Sequence, residues 1–125
     1  QFVFFVDGLR EIVEQDKVNL LNASVRVVHQ EDIFFNYAPQ DMFSVVLYIN
    51  QKTNAEGNEK MRQATSKFID LTTSLGGRFF LPYQLHYSKD QLLKSYPEMN
   101  KFFEAKKRYD PQLVLSSTFY EKYAE

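Results

Sequence analysis

Cysteine is missing from all 125 residues. That excludes disulfides, thiolate metal sites and thiol nucleophiles within the chain, and it suits a reducing, cytoplasmic setting. Tryptophan is also missing, and there are only four glycines and four prolines. The glycines, at positions 8, 57, 76 and 77, form neither a Gly-x-Gly-x-x-Gly fingerprint nor a Walker loop, so no phosphate cradle is expected. The two histidines, His29 and His86, are far apart in sequence, and no metal site is expected. No nucleophile-elbow sequence supports a Ser-His-Asp triad. No apolar run approaches the ~18 residues of a membrane span. The net charge is -1, whereas a nucleic-acid binder gathers a basic excess on one face; nucleic acid is not an expected partner. The one basic run, Lys106-Lys107-Arg108, falls near a predicted helix end, where cations favour the helix dipole.

What the chain has in quantity is aromatic surface, with 12 Phe and 8 Tyr. That is more than one small core needs, and part of it is expected to face something outside the chain. With 44% hydrophobic and 25% charged residues, the composition is that of a soluble globular domain. The chain begins without Met inside the apolar run Gln1-Phe2-Val3-Phe4-Phe5, so it is expected to be part of a longer polypeptide.

Residues 1–6 read as a short aromatic strand. Asp7 is positioned to cap a helix carrying Leu9, Ile12 and Val13 on one face. Residues 21–29 alternate as a strand, with Ala23, Val25 and Val27 on one face and Asn22, Ser24 and Arg26 on the other. Residues 30–41 connect to a second long strand, 42–50. Its core face carries Phe43, Val45, Leu47 and Ile49, and its other face Ser44, Val46, Tyr48 and Asn50. A polar loop leads to a helix ending near Leu75, with an apolar stripe of Met61, Ala64, Phe68, Ile69, Leu71 and Leu75. Gly76-Gly77 ends that helix in a left-handed cap. Residues 78–81 read as another strand.

The expected fold is therefore α+β: a ferredoxin-like split βαβ unit over residues 1–87, with an antiparallel sheet and helices on one face. A helical C-terminal segment follows over 88–125. Its expected capping boxes are Ser88 with Gln91, Ser95 with Glu98, and Thr118 with Glu121. Asp110-Pro111 is expected to stop the helix carrying Phe102 and Phe103.

The opposite sheet face is bare in this arrangement. Arg26 on that face has two readings: a solvated antiparallel sheet face, or the roof of an active site where its cation stabilises negative charge. Tyr83-Gln84-Leu85-His86, just after the last expected strand, is either an ordinary strand exit or a set of site contacts.

The second half carries a resemblance. Gly76-Gly77-Arg78-Phe79-Phe80-Leu81-Pro82-Tyr83 is followed by Ser88-Lys89-Asp90-Gln91, Tyr96-Pro97, Lys107-Arg108-Tyr109-Asp110-Pro111 and Ser117-Thr118-Phe119-Tyr120. With Asn22-Ala23-Ser24-Val25-Arg26 and the strands around it, this order resembles the C-terminal part of FAD-linked oxidases of the vanillyl-alcohol-oxidase type. The branch it is similar to holds the sugar-lactone, alditol and decaprenylphosphoryl-ribose oxidases. The resemblance implies a substrate-side cap whose FAD is held mainly by an N-terminal domain outside this chain, with residues 88–125 packing back on that domain. It implies hydride transfer from a sugar-like or polyol alcohol to flavin.

Residue by residue, it implies Arg26 and Tyr83 as catalytic candidates, with Ser24, Tyr48, Gln84 and His86 facing substrate or flavin. Ser24 stands where some relatives carry a carboxylate, and Tyr83 where the ribose oxidases carry a Lys, so the catalytic base is open. The alternative is a free-standing ferredoxin-like protein-binding or dimerisation module, in which the bare face pairs with itself or a partner. Self-association is also expected through an exposed tail around Leu113, Leu115, Phe119, Tyr120 and Tyr123.

Overall fold

A computed structural model describes residues 1–124. Its elements, in order, are α1 (Phe2–Gln15), β1 (Leu20–Val28), β2 (Met42–Ile49), α2 (Ala55–Ser74), α3 (Lys89–Ser95), α4 (Met99–Tyr109) and α5 (Thr118–Tyr123). The architecture is α+β: a two-stranded antiparallel sheet, two helices on one of its faces, and a helical C-terminal segment.

The register places Ala23 opposite Leu47, Val25 opposite Val45 and Val27 opposite Phe43. Directly opposed residues share a face, so the expected alternation of both strands holds. Val45, Leu47 and Ile49 pack with Phe5, Leu9, Ile12 and Val13 of α1 and with Met61, Ala64, Phe68 and Leu71 of α2. The helices lie over β2 and leave β1 overhanging, so Val25 and Val27 are 54% and 65% exposed.

Two expected strands are not strands. Residues 1–6 belong to α1, which starts at Phe2 rather than after Asp7. The aromatic run suggested a strand. However, Phe2, Phe5, Leu9, Ile12 and Val13 recur at helical spacing, and this amphipathic stripe prevails over the β propensity of Phe and Val. Asp7 lies mid-helix and caps nothing; the N-cap is Gln1. Residues 78–80 take no regular secondary structure, and Leu81 begins a turn. Phe79 and Leu81 turn into the second core instead, and among the described residues no strand lies alongside to complete a ladder.

Helix α2 is the hinge of the packing. Asn54 caps it by accepting the Gly57 N–H at 2.8 Å. It ends as expected: Gly76 takes φ +76°, and the Gly77 N–H donates to the Thr72 carbonyl at 2.8 Å. Ile69 on its other side joins Tyr87, Leu92, Tyr96, Met99, Phe103, Tyr120 and Tyr123 in the larger core. The Ser88–Gln91 capping box forms. Ser95 is not a cap. It is buried, and its hydroxyl bonds the Thr73 hydroxyl at 2.7 Å, while α4 starts after Glu98. Thr118 is the first residue of α5, and Ser117 is its cap. Asp110 ends α4 as expected.

The tail is only partly the exposed patch foreseen. Tyr120 and Tyr123 are buried in the core and Phe119 is half-buried, while residues 111–118, with Leu113, Val114 and Leu115 among them, are exposed. Tyr123 stacks on Tyr87 with ring centroids 4.9 Å apart and donates its hydroxyl to the Tyr87 carbonyl at 2.7 Å. A tail carrying its own aromatic anchors folds onto the nearest apolar surface, here α3 and α4.

Candidate functional site

A trough of about 1140 Å³ runs along the edge of β2 that β1 does not pair. Seven of the eight β2 residues line it; Tyr48 alone does not. One face of α2 forms its floor, through Met61, Thr65, Phe68 and Thr72. The start of α1 closes one end, and the irregular segment 76–87, with its turn at 81–82, forms the far wall.

Four of the six candidate residues line this trough: Arg26, Tyr83, Gln84 and His86. Arg26 belongs to β1, one strand away from the free edge, and stands opposite Ser44 in the register. The Ser44 hydroxyl bonds the Tyr37 hydroxyl at 3.2 Å. Tyr37 meets Phe80 edge-on at 5.6 Å, and Phe80 meets Tyr83 edge-on at 5.1 Å. Tyr37, Ser44 and Phe80 thus link the Arg26 wall to the Tyr83 wall. Ser24 and Tyr48 share the Arg26 face of the sheet but do not reach the trough. Tyr48 projects 69% exposed near the far end of the ladder, opposite Asn22.

The far wall is held by Arg78, whose role the sequence reading missed. Its guanidinium donates to the Asn36 carbonyl at 2.7 Å and to Glu98 Oε1 at 2.6 Å, and it lies 4.7 Å from the Tyr96 ring centroid. One side chain therefore ties the 30–41 connection, the 76–87 segment and α4 together. Phe35 reinforces the tie by stacking on Phe102 at 4.9 Å. The signal in the sequence was a lone Arg inside an aromatic run, where an unpaired cation would be costly to bury.

Electrostatically the trough is mostly apolar. Arg78 is committed to Glu98 and Asn36, while Arg26 has no hydrogen bond or ion pair among the described residues. His86 bonds the Gln84 side chain, and its pKa is lowered from 6.5, chiefly by burial and further by the Lys122 and Arg62 cations. A neutral imidazole is a proton acceptor near neutral pH. Burial also pushes the hydroxyl pKa values of Tyr87 and Tyr96 upward, so these stay protonated structural groups.

The donor set bears on the FAD that the sequence resemblance implies. The walls offer aromatic and aliphatic surface, one free guanidinium and a neutral imidazole. This suits a cover over a planar ring and a hydroxylated substrate. It does not suit a diphosphate, because Arg78 is engaged by Glu98 and Asn36, which leaves Arg26 as the single free guanidinium among the lining residues. Among the described residues no group of three His, Asp or Glu is placed to hold a metal ion. No described helix is long and apolar enough to cross a membrane.

No family model, curated protein or solved structure matches this chain.

Proposed function

We propose that the chain is the substrate-side portion of an FAD-dependent oxidoreductase that oxidises an alcohol carbon, with a sugar-like or polyol substrate and a cytoplasmic location. The observation that carries this reading is the gathering of Arg26, Tyr83, Gln84 and His86 on one trough beside the polar sheet face. The order of motifs from Gly76 to Tyr120 supports it. Bound flavin, held mainly by a domain outside this chain, would supply the acceptor for the hydride lost from the alcohol carbon.

The chain's own residues bind and move protons. Arg26 stabilises negative charge on the substrate oxygen as its proton leaves. The Tyr83 hydroxyl orients the substrate hydroxyl. His86, kept neutral by burial and two nearby cations, accepts the proton directly or through Tyr83. Gln84 holds the His86 ring by its Nε2 atom.

The test is to purify the natural polypeptide carrying these residues, record its visible spectrum and screen sugars and polyols anaerobically. Flavin absorption that bleaches with an alcohol supports the reading; a colourless protein, or flavin that no alcohol reduces, overturns it. Residues 1–125 alone should quench FAD fluorescence only above micromolar concentrations, and a sub-micromolar dissociation constant contradicts the assignment of FAD to another domain. A second reading, a protein-binding or dimerisation module without catalysis, draws on one observation. Phe43 on the open edge of β2, and Val25 and Val27 on β1, are more than half exposed. Concentration-dependent dimerisation of a colourless protein would favour it.

A further inference from the structure

We infer that a second, polar cleft behind His86, between α2, α3 and α5, binds the phosphate group of a small phosphate ester, and that His86 carries the presence of that anion to the trough. The binding is independent of the flavin reading; only its consequence for turnover rests on that reading.

The first ground is a convergence of cations. The cleft holds about 430 Å³, a size for a small ligand, and is lined by Arg62 of α2, Lys94 of α3 and Lys122 of α5. Lys94 has no hydrogen bond or ion pair among the described residues. Arg62 gives its Nε and Nη2 atoms to Glu59, which leaves Nη1 uncommitted. The Lys122 ammonium is fixed on the Leu85 carbonyl at 2.6 Å, one residue from His86. Three cations from three helices match the three outward oxygens of a phosphate monoester, whereas a carboxylate offers only two. Two carboxylates, Asp70 and Asp90, also line the cleft, and Asp70 accepts from the Gln91 side chain at 2.8 Å. The lining therefore keeps a cationic excess.

The second ground is His86, which lines both the cleft and the trough. Its chain neighbours are clamped by α5. The Leu85 carbonyl accepts from Lys122, and the Tyr87 carbonyl accepts from the Tyr123 hydroxyl at 2.7 Å. The charged groups around it are Arg62 and Asp70 of α2, Asp90 and Lys94 of α3, and Lys122 of α5, with Tyr83 on the trough side. Burial first, and then Lys122 and Arg62, lower the His86 pKa, and no carboxylate is among the causes. At this end of the cleft the field is that of the cations.

A phosphate between Arg62 and Lys122 offsets that field and favours the imidazolium form of His86. By linkage, protonated His86 holds the anion more tightly. An imidazolium accepts no further proton, so on the flavin reading a filled cleft slows oxidation of the alcohol in the trough.

Histidine NMR tests the inference, with inorganic sulfate as the probe because its charge does not change over the His86 titration. The ring signals of His86 and His29 are followed at fixed ionic strength, with chloride as the reference anion. Sulfate should shift His86 saturably and leave His29, beside Asp41, unmoved. It should raise the His86 titration midpoint by about one pH unit, and bind about tenfold more weakly above that titration than below it. Glycerol phosphate should displace the sulfate. Arg62→Gln with Lys94→Gln should weaken sulfate at least about tenfold with the near-UV circular dichroism unchanged, since both side chains are exposed. Absence of saturation by about 50 mM, equal shifts of the two histidines, no displacement by glycerol phosphate, or unchanged binding in the double variant overturns the inference and leaves an adventitious ion only. No reading here needs flavin. A colourless chain that binds sulfate in this way keeps the cleft and loses the oxidoreductase reading, and a chain that fails leaves that reading untouched.

Discussion

Replacing Arg78 by Met should destabilise the fold by about 3 kcal/mol, because it strands the Glu98 carboxylate. The magnitude follows from the site. The Arg78 and Glu98 side chains are 12% and 20% exposed, joined at 2.6 Å, with a second contact at 3.3 Å. Arg78 also donates to the carbonyl and side-chain oxygens of Asn36 and stacks on Tyr96. Breaking a buried pair from one side costs about 3–5 kcal/mol, and residual solvent access at Glu98 favours the lower end. Methionine retains the apolar stem, so the loss reports the charge and its hydrogen bonds rather than a cavity. With a urea slope of about 2 kcal/mol/M, the unfolding midpoint should fall by about 1.5 M. Adding Glu98→Gln should cost less than the two single changes summed, with a coupling of about 1–3 kcal/mol. The reasoning is refuted if Arg78→Met costs under about 1 kcal/mol, or if the double variant is additive. Either result would mean that the aromatic packing of Phe35, Phe79 and Tyr96 alone holds the far wall.

Four further outcomes are expected. Arg26→Ala in the flavin-containing polypeptide should leave Tm nearly unchanged, since Arg26 is exposed, and should raise the barrier to turnover by about 2–4 kcal/mol; a large drop in Tm with normal turnover would make Arg26 structural. Tyr123→Ala should cost about 3–5 kcal/mol by chemical denaturation, because it empties a core site and removes the stack on Tyr87; a loss under about 1 kcal/mol would place the tail outside the cooperative unit. Lys17 occupies the left-handed region at φ 51° just beyond α1, so Lys17→Gly should raise stability by about 0.5–1 kcal/mol, and a loss would contradict the cap geometry. Burial pushes Tyr123 up to about 12 and raises Tyr87 and Tyr96 further above the ordinary 10.0. A raised folded-state value favours the protonated, folded form. That stability is complete below about pH 10 and is lost as pH rises towards 12 and beyond. Absorbance at 295 nm should show these tyrosines ionising together with unfolding, whereas ionisation at pH 10 with the fold intact would refute the burial argument.

What could be read from the residues alone was set by local rules. The alternation of 21–29 and 42–50 fixes which side chains share a face, because side chains in a strand point to opposite sides in turn. Gly76 is needed where the chain leaves α2 through positive φ, and Ser88 with Gln91 closes a cap within three residues. None of these depends on distant contacts. The sequence also marked Arg26, Tyr83, Gln84 and His86, though not that a single trough would unite them. That union is tertiary: it depends on α2 spacing the 76–87 segment away from β2, and on Arg78 tying that segment to Asn36 and Glu98. The first six residues show the same divide from the other side. Their aromatic run suits a strand or a helix, and the choice falls to packing, since Phe5 and Leu9 can cover β2 and α2 only from a helix. Residues 78–81 have strand-like side chains but no neighbour to pair with, and pairing is a property of two segments rather than one.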